Sequence, residues 1–232
     1  MEKHEIFNQA IEQFKDRNKE DLLSIGITIG SNHSTFRKLY TAYITNKAKY
    51  ENKPRIGAKI KVEFNRSEDE VLIKRAPTEL KFNTKEFMDY LNLVSICFGD
   101  IYPLGSIVEL DDELFAKEYK RSSGVKEGER SWVVIVSRFI SPNEDNIQHF
   151  IEYIATPYPH GEGTMFLNRM TIRGVVHSGL IDEAEEAYVQ QLRETLVVSN
   201  SKSIAFLTDE ELDRLFKQPT NMNENMVYGE VH

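Results

Sequence analysis

The chain has 232 residues, 40% of them hydrophobic and 28% charged, with a formal net charge of −8 at pH 7. That length and apolar content can bury a core without metal or disulfide staples, and they exclude wholesale disorder. A single cysteine, Cys97, excludes an intrachain disulfide and fits a reducing compartment; no apolar run approaches the roughly 20 residues of a membrane-spanning helix.

In chain order, Met1 to Glu5 is mixed in charge and lacks the basic-then-apolar pattern of a secretory leader, so a cytosolic chain is expected. Ile6, Ala10, Ile11 and Phe14 recur at helical spacing and predict a first helix. The run Leu22 to Gly30 is short, β-branched and punctuated by glycine, which predicts a strand. Ser34 is placed to cap a second helix with Phe36, Leu39, Tyr40, Tyr43 and Ile44 on its apolar face. After Pro54 the period changes to two: Ile60, Val62 and Phe64 alternate with Lys59, Lys61 and Glu63, the pattern of a half-buried strand. Val71 to Ile73 is its expected partner. Asn83 and Glu86 have capping-box spacing before Phe87, Tyr90, Leu91 and Val94, and Phe98-Gly99-Asp100 ends that helix.

A second module opens at residue 100. Ile107 to Leu110 reads as a strand, and the charged stretch 111–130, with Gly124 and Gly128, reads as a loop. Trp132 to Val136 is nearly continuous in apolar residues and predicts a central strand covered on both faces, ended by Ser141-Pro142-Asn143. Phe150 to Ala155, Met165 to Leu167 and Ile172 to Val176 supply further strands. Asp182, Glu183, Glu185 and Glu186 crowd the first turn of a long helix, where the macrodipole favours them. Thr208 and Glu211 repeat the capping-box spacing before Leu212, Leu215 and Phe216. The expectation is an α+β protein. An N-terminal helix–strand module spans 1–99. A small antiparallel, barrel-like sheet with flanking helices spans 100–217, and 218–232 is a frayed polar tail.

Little in this pattern points to catalysis. The six histidines are scattered singly and Cys97 has no neighbouring thiol, so no metal site is expected. Leu104-Gly105-Ser106-Ile107 lacks the second glycine of a nucleophile elbow. Gly26-x-x-x-Gly30-Ser31 lacks the lysine of a phosphate loop and reads as a strand leaving through a glycine turn. The adjacent carboxylates Asp111-Asp112 and Glu185-Glu186 lie on exposed elements, where nothing separates their pKa values. A non-catalytic protein without cofactor is therefore expected.

Charge is unevenly spread. Residues 1–99 carry 17 Lys+Arg against 14 Asp+Glu, whereas 100–232 carry 12 against 23. Arg37, Lys38, Lys47, Lys49, Lys53 and Arg55, followed by Lys59 and Lys61, form a basic face opposed by Glu51 alone. With Tyr40, Tyr43 and Tyr50 interleaved, this is the pattern of a nucleic-acid interface. Tyr40 and Tyr43, however, sit on a predicted apolar face, and a pI near 5.4 repels phosphate at range. Docking onto an acidic protein, or onto the chain's own acidic half, is the better reading.

The second half carries an ordered set of motifs. Tyr102-Pro103-Leu104-Gly105-Ser106-Ile107-Val108 is followed by an insertion and then Val133-Val134-Ile135-Val136-Ser137-Arg138. Next come Tyr153 to Gly161, ending Pro157-Tyr158-Pro159-His160-Gly161, then Gly179 and Asp182-Glu183-Ala184-Glu185-Glu186. This order, over roughly residues 100–195, resembles a small domain of unassigned function that is common in Firmicutes. That domain is encoded beside type VII secretion genes and their LXG-type toxins. Two departures are Ser137-Arg138, where the family usually has Gly-Arg, and the long insertion at 111–130. The resemblance implies a cytosolic accessory of toxin export, either a chaperone or targeting adaptor, or an immunity-like factor, and it carries over no catalytic residues. Candidate partner contacts are Tyr102, Pro103, Arg138, Tyr158, Pro159 and His160; the aromatic and proline members are expected to form a rigid rim, beside the plainer reading of turns between strands. Residues 1–99 resemble nothing recognised.

Overall fold

The structure, a computed structural model, describes residues 2–52, 54, 58–111, 114, 131–142, 148–159 and 163–217. Lys53, Arg55, His160, most of the 111–130 insertion and the 218–232 tail lie outside the described residues.

Three helices open the chain: α1 (Lys3–Ala10), α2 (Lys19–Gly30) and α3 (His33–Ile44). Helix α2 replaces the strand expected over Leu22 to Gly30. The Asn18 side chain accepts from the Asp21 N–H at 3.1 Å, Glu20 and Asp21 occupy the positive first turn, and Leu22, Ile25, Gly26 and Ile29 bury one helical face. Tertiary burial thus overrides the β-branched bias of the run. The glycines make no turn. A Cβ at Gly26 would run into Phe7 and Tyr90, and one at Gly30 into Phe98, so Gly26-x-x-x-Gly30 lets aromatic rings close onto the helix. Helix α3 is capped by Asn32, not Ser34, through an Asn32 Oδ1–Thr35 N–H bond of 2.8 Å. Its expected apolar face buries Phe36, Leu39 and Tyr40, leaves Tyr43 half-buried and exposes Ile44.

Strands β1 (Lys49–Asn52), β2 (Ile60–Asn65), β3 (Glu70–Arg75) and β4 (Thr78–Phe82) form an antiparallel meander in sequence order. The alternation in β2 is realised: Ile60, Val62 and Phe64 are buried while Lys59, Lys61 and Glu63 face out. Val62 pairs Ile73 as expected for the 71–73 partner strand. Short, charged β1 and β4 gave no apolar alternation strong enough to predict. Helix α4 (Thr84–Phe98) begins at the expected capping box: Asn83 Oδ1 accepts the Glu86 N–H, and Glu86 accepts the Asn83 N–H, both at 2.9 Å. From Met88 on it buries almost every side chain, including Asn92, Ser95 and Cys97.

The second sheet holds β5 (Ile107–Leu110), β6 (Trp132–Ile140), β7 (His149–Pro157), β8 (Met165–Leu167), β9 (Ile172–His177) and β10 (Lys202–Ser203). Its order is β10-β7-β6-β5-β9, with β8 also on β7; only the β10–β7 pairing is parallel. Val108, Leu110, Val133, Ile135, Tyr153, Ala155, Met165, Leu167 and Ile172 gather with Tyr102 into one buried cluster, an interior lined by the sheet's own strands, as in a barrel. The expectation that β6 is covered on both faces is corrected. Val133 and Ile135 are buried, but Val134 is half-exposed and Val136, at a register shift against β7, is exposed. An apolar run is ambiguous between a doubly buried strand and a strand with a bare apolar face.

Helix α5 (Glu183–Val198) starts at Asp182, which accepts the Glu185 N–H at 2.9 Å. Helix α6 (Asp209–Lys217) starts at the reciprocal Thr208–Glu211 cap. The largest apolar cluster combines residues between Ile6 and Phe98 with Met170 and Phe206, so the second half completes the core of the first.

Candidate functional site

Directly opposed residues on neighbouring strands share a face, so the register identifies what the second sheet presents outward. Ile107 opposes Val134, Val134 opposes Thr156, and Ile154 opposes Phe166. With Val136 these side chains form an apolar outer surface, on which Phe166 is 60% and Val136 47% exposed. Trp132 and Tyr158 lie at its end, ring centroids 6.3 Å apart, and Tyr158 is 45% exposed. The Trp132 Nε1–H is buried without an acceptor among the described residues. Val175 and Val176 of the edge strand β9 are also exposed.

The expected aromatic rim is only partly there. Tyr102 is 8% exposed, tilted against Tyr153 with centroids 5.8 Å apart, and Pro103 is buried beside it. The correction has a simple cause: the Tyr102 N–H donates to the Tyr153 hydroxyl at 3.2 Å, and the Pro103 carbonyl accepts from Ser106 Oγ at 2.7 Å. That anchors the segment inside the sheet. Tyr158 and Pro159 are exposed; His160 lies outside the described residues. Arg138 is mostly buried. Its Nη1 and Nη2 donate to Glu185 Oε1 and Oε2 at 2.5 and 2.6 Å, and its guanidinium lies 4.6 Å from the Tyr188 ring centroid. This bidentate pair ties α5 to the sheet. Glu185, expected on a solvated face, is therefore an internal ion-pair partner.

Arg37, Lys38, Lys47 and Lys49 of the basic face do converge, lining an open cleft with Tyr50, Arg173 and Asp111. Arg37 is paired with Asp111, so part of this charge meets the chain's own acidic half. The interleaved tyrosines serve the fold. Tyr40 donates to the Ala205 carbonyl at 2.8 Å and Tyr50 to the Thr35 carbonyl at 3.3 Å, and Tyr43 lies under the Arg66 guanidinium, 4.8 Å from its centroid. Lys53 and Arg55 lie outside the described residues.

A polar cluster that gave no sequence signal surrounds the C-terminal end of α4. Glu152, on β7, accepts from Arg169 N and Nε at 2.8 and 3.0 Å and from Ser203 Oγ at 3.0 Å. Arg169 Nη1 donates to the Ser95 carbonyl at 2.5 Å. Arg193, on α5, donates through Nη1 to the Ile96 carbonyl and through Nη2 to the Gly99 carbonyl at 2.7 Å. Two guanidinium groups thus cover the negative end of the helix, whose last carbonyls lack helical donors. All three charged side chains are buried. Burial, with Arg169 second, pulls Arg193 down to about 10. At Arg169 burial is again the largest influence and acts downward, but the Glu152 carboxylate together with Tyr153 and Tyr102 outweighs it and the guanidinium is raised. Burial pushes the Cys97 thiol up to about 12, which leaves it inert. Among the described residues no group of three or more His, Cys, Asp or Glu could hold a metal ion, and no helix is long and apolar enough to cross a membrane.

Fold and surfaces together define an α+β protein with a curled second sheet whose outer face is apolar. Residues 124–188, from the end of the insertion through β6–β9 into the first turns of α5, match the model of a family described as a domain of unknown function, DUF4176. That match covers less than half of the chain and lies within the resemblance region. No curated protein and no solved structure matches the chain.

Proposed function

We propose that this chain acts by binding another protein, with the apolar outer face of the second sheet as its docking surface, as a non-catalytic cytosolic accessory of type VII toxin export. The observation that carries the reading is the exposure of Phe166 and Val136 on a face that also presents Ile107, Val134 and Ile154. Contiguous apolar surface of this kind marks interaction sites on soluble proteins. Tyr158 and Trp132 at its margin are residue types that anchor interfaces, and an adaptor that must release its client suits a modest interface. The secretion context rests on the motif order over residues 100–195, and the family match falls on the strands that build this face. A chaperone or targeting adaptor is favoured over an immunity-like factor because an open sheet face can hold a client without blocking a particular active site.

The test is co-purification with LXG-type toxins encoded beside the gene. Phe166→Asp with Val136→Asp should abolish capture. Tyr158→Ala should weaken it by more than about 1 kcal/mol, the usual threshold for an interface anchor. Melting temperatures should change little, since these side chains are exposed. Unchanged capture by the double variant would overturn the reading. Protection of cells from the toxin without any effect on its export would favour the immunity-like role.

A further inference from the structure

A cavity of about 260 Å³ lies where α1, the ends of α2 and α4, and the β8–β9 connection meet. Its polar lining is Lys3, His4, Ser31, His33, Ser95 and Arg169, with one carboxylate, Asp100, also in the wall. Three features of this wall are unbalanced. Ser95 Oγ is buried and has no hydrogen-bond partner among the described residues, and a buried hydroxyl left unpaired is costly unless something else fills its valence. Arg169 spends Nε on Glu152 and Nη1 on the Ser95 carbonyl, and Nη2 makes no hydrogen bond among the described residues. Lys3, at the mouth, makes no ion pair there among the described residues.

Charge points the same way. Two guanidinium groups, Arg169 and Arg193, are buried with one carboxylate, Glu152, which pairs with Arg169 alone. Arg193 is satisfied only by carbonyls of the α4 end. The helix end adds only a partial negative charge, so the three cations Lys3, Arg169 and Arg193 outnumber the two carboxylates Glu152 and Asp100 around the cavity. Lys3 feels that excess: burial first, then Arg193 and Arg169, lower its pKa, and only Asp100 among the nearby groups raises it. His33, whose Nε2 lies 3.3 Å from the Ile172 carbonyl, and His4, edge-on to Phe98 at 5.4 Å, add two imidazole rings to the rim. Positive potential, unused N–H and O–H donors and a volume fit for a few heavy atoms select one ligand class.

We propose that this cavity binds a small oxyanion, a phosphate or carboxylate group, through Lys3 Nζ, Ser95 Oγ and Arg169 Nη2. The site is independent of the docking face and would place a small-molecule contact at the seam between the two halves of the chain. Calorimetric titration of the full chain with inorganic phosphate, and separately with acetate, at constant ionic strength tests it; the two arms distinguish the tetrahedral from the planar anion. Saturable binding of at least one is expected. Ser95→Ala removes a hydroxyl that has no protein partner, so it should fold normally, and Lys3→Gln alters an exposed side chain. Each should weaken binding about tenfold or more, the scale of one lost charged hydrogen bond. Lys59→Gln, on the outer side of the first sheet, should bind as the parent does. No saturable binding of either anion, or equal losses in Lys59→Gln, overturns the proposal, as would wild-type affinity in both cavity variants.

Discussion

The two sheets of this protein treat their outer faces oppositely. On the first, Lys61 opposes Glu51 and Lys74, Lys74 opposes Glu79, and Lys74 pairs with Glu63 at 3.3 Å. Every apolar side chain of β2 points inward, and the surface is a mosaic of charge that water can cover. On the second, Val134, Val136, Ile154 and Phe166 occupy the corresponding outward positions. Both sheets bury a complete inner set, so the apolar outer set of the second is not needed for a core. A solvated sheet normally alternates apolar-in and polar-out. The sheet that departs from this rule is the one proposed as the docking surface, and the residues matched by the family model supply its strands β6 to β9.

The comparison can be broken first at the joint between the two halves. Arg169→Ala leaves Glu152 buried without its cation and exposes the Ser95 carbonyl end of α4. A loss of about 3–5 kcal/mol is expected, as for other broken buried pairs. Chemical denaturation measures it. A loss under about 1 kcal/mol would mean that the second sheet holds to α4 by apolar packing alone.

The same chemistry on two faces gives the next test. Ile73→Ala, on the inner face of the first sheet, should cost about 2–5 kcal/mol through transfer and cavity terms. Phe166→Ala, on the outer face of the second, should change stability by less than about 0.5 kcal/mol in the free chain. It should also reduce binding of a hydrophobic dye. Equal destabilisation by both would show that the outer face is already covered within the chain.

The smallest effect concerns how α6 is fastened. Burial alone would raise the Glu211 carboxyl, but the Thr208 N–H and the ammonium groups of Lys202 and Lys85 outweigh it and hold the carboxyl at about 2. A depressed carboxylate stabilises the fold above its ordinary pKa of 4.5 and loses that contribution as pH falls toward 2. Glu211→Gln should therefore show a shallower loss of stability across that window than the parent. Because these groups are partly exposed, the difference should also shrink in high salt. Parallel pH profiles would remove Glu211 from the acid response.

The sequence by itself determined the elements whose signals are local. The Asn83–Glu86 and Thr208–Glu211 caps, the Asp182 helix start and the alternation of Ile60, Val62 and Phe64 follow from spacing. Each depends only on residues a few positions apart. The α+β class followed from these. Tertiary structure decided the rest. It turned Leu22–Gly30 into a helix, because Phe7, Tyr90 and Phe98 close onto its glycines and reward helical burial over β propensity. It sent Tyr102 and Pro103 inward and left Tyr158 outside, although all three sit in similar Tyr-Pro contexts, because only the first segment bonds to Tyr153 and Ser106. It joined Arg169, Glu152, Arg193 and the end of α4 across more than 90 residues of chain, and it left Val136 and Phe166 uncovered. Contacts that distant leave no periodic trace, since a buried ion pair or a bare sheet face is set by what packs against it and not by the residues on either side.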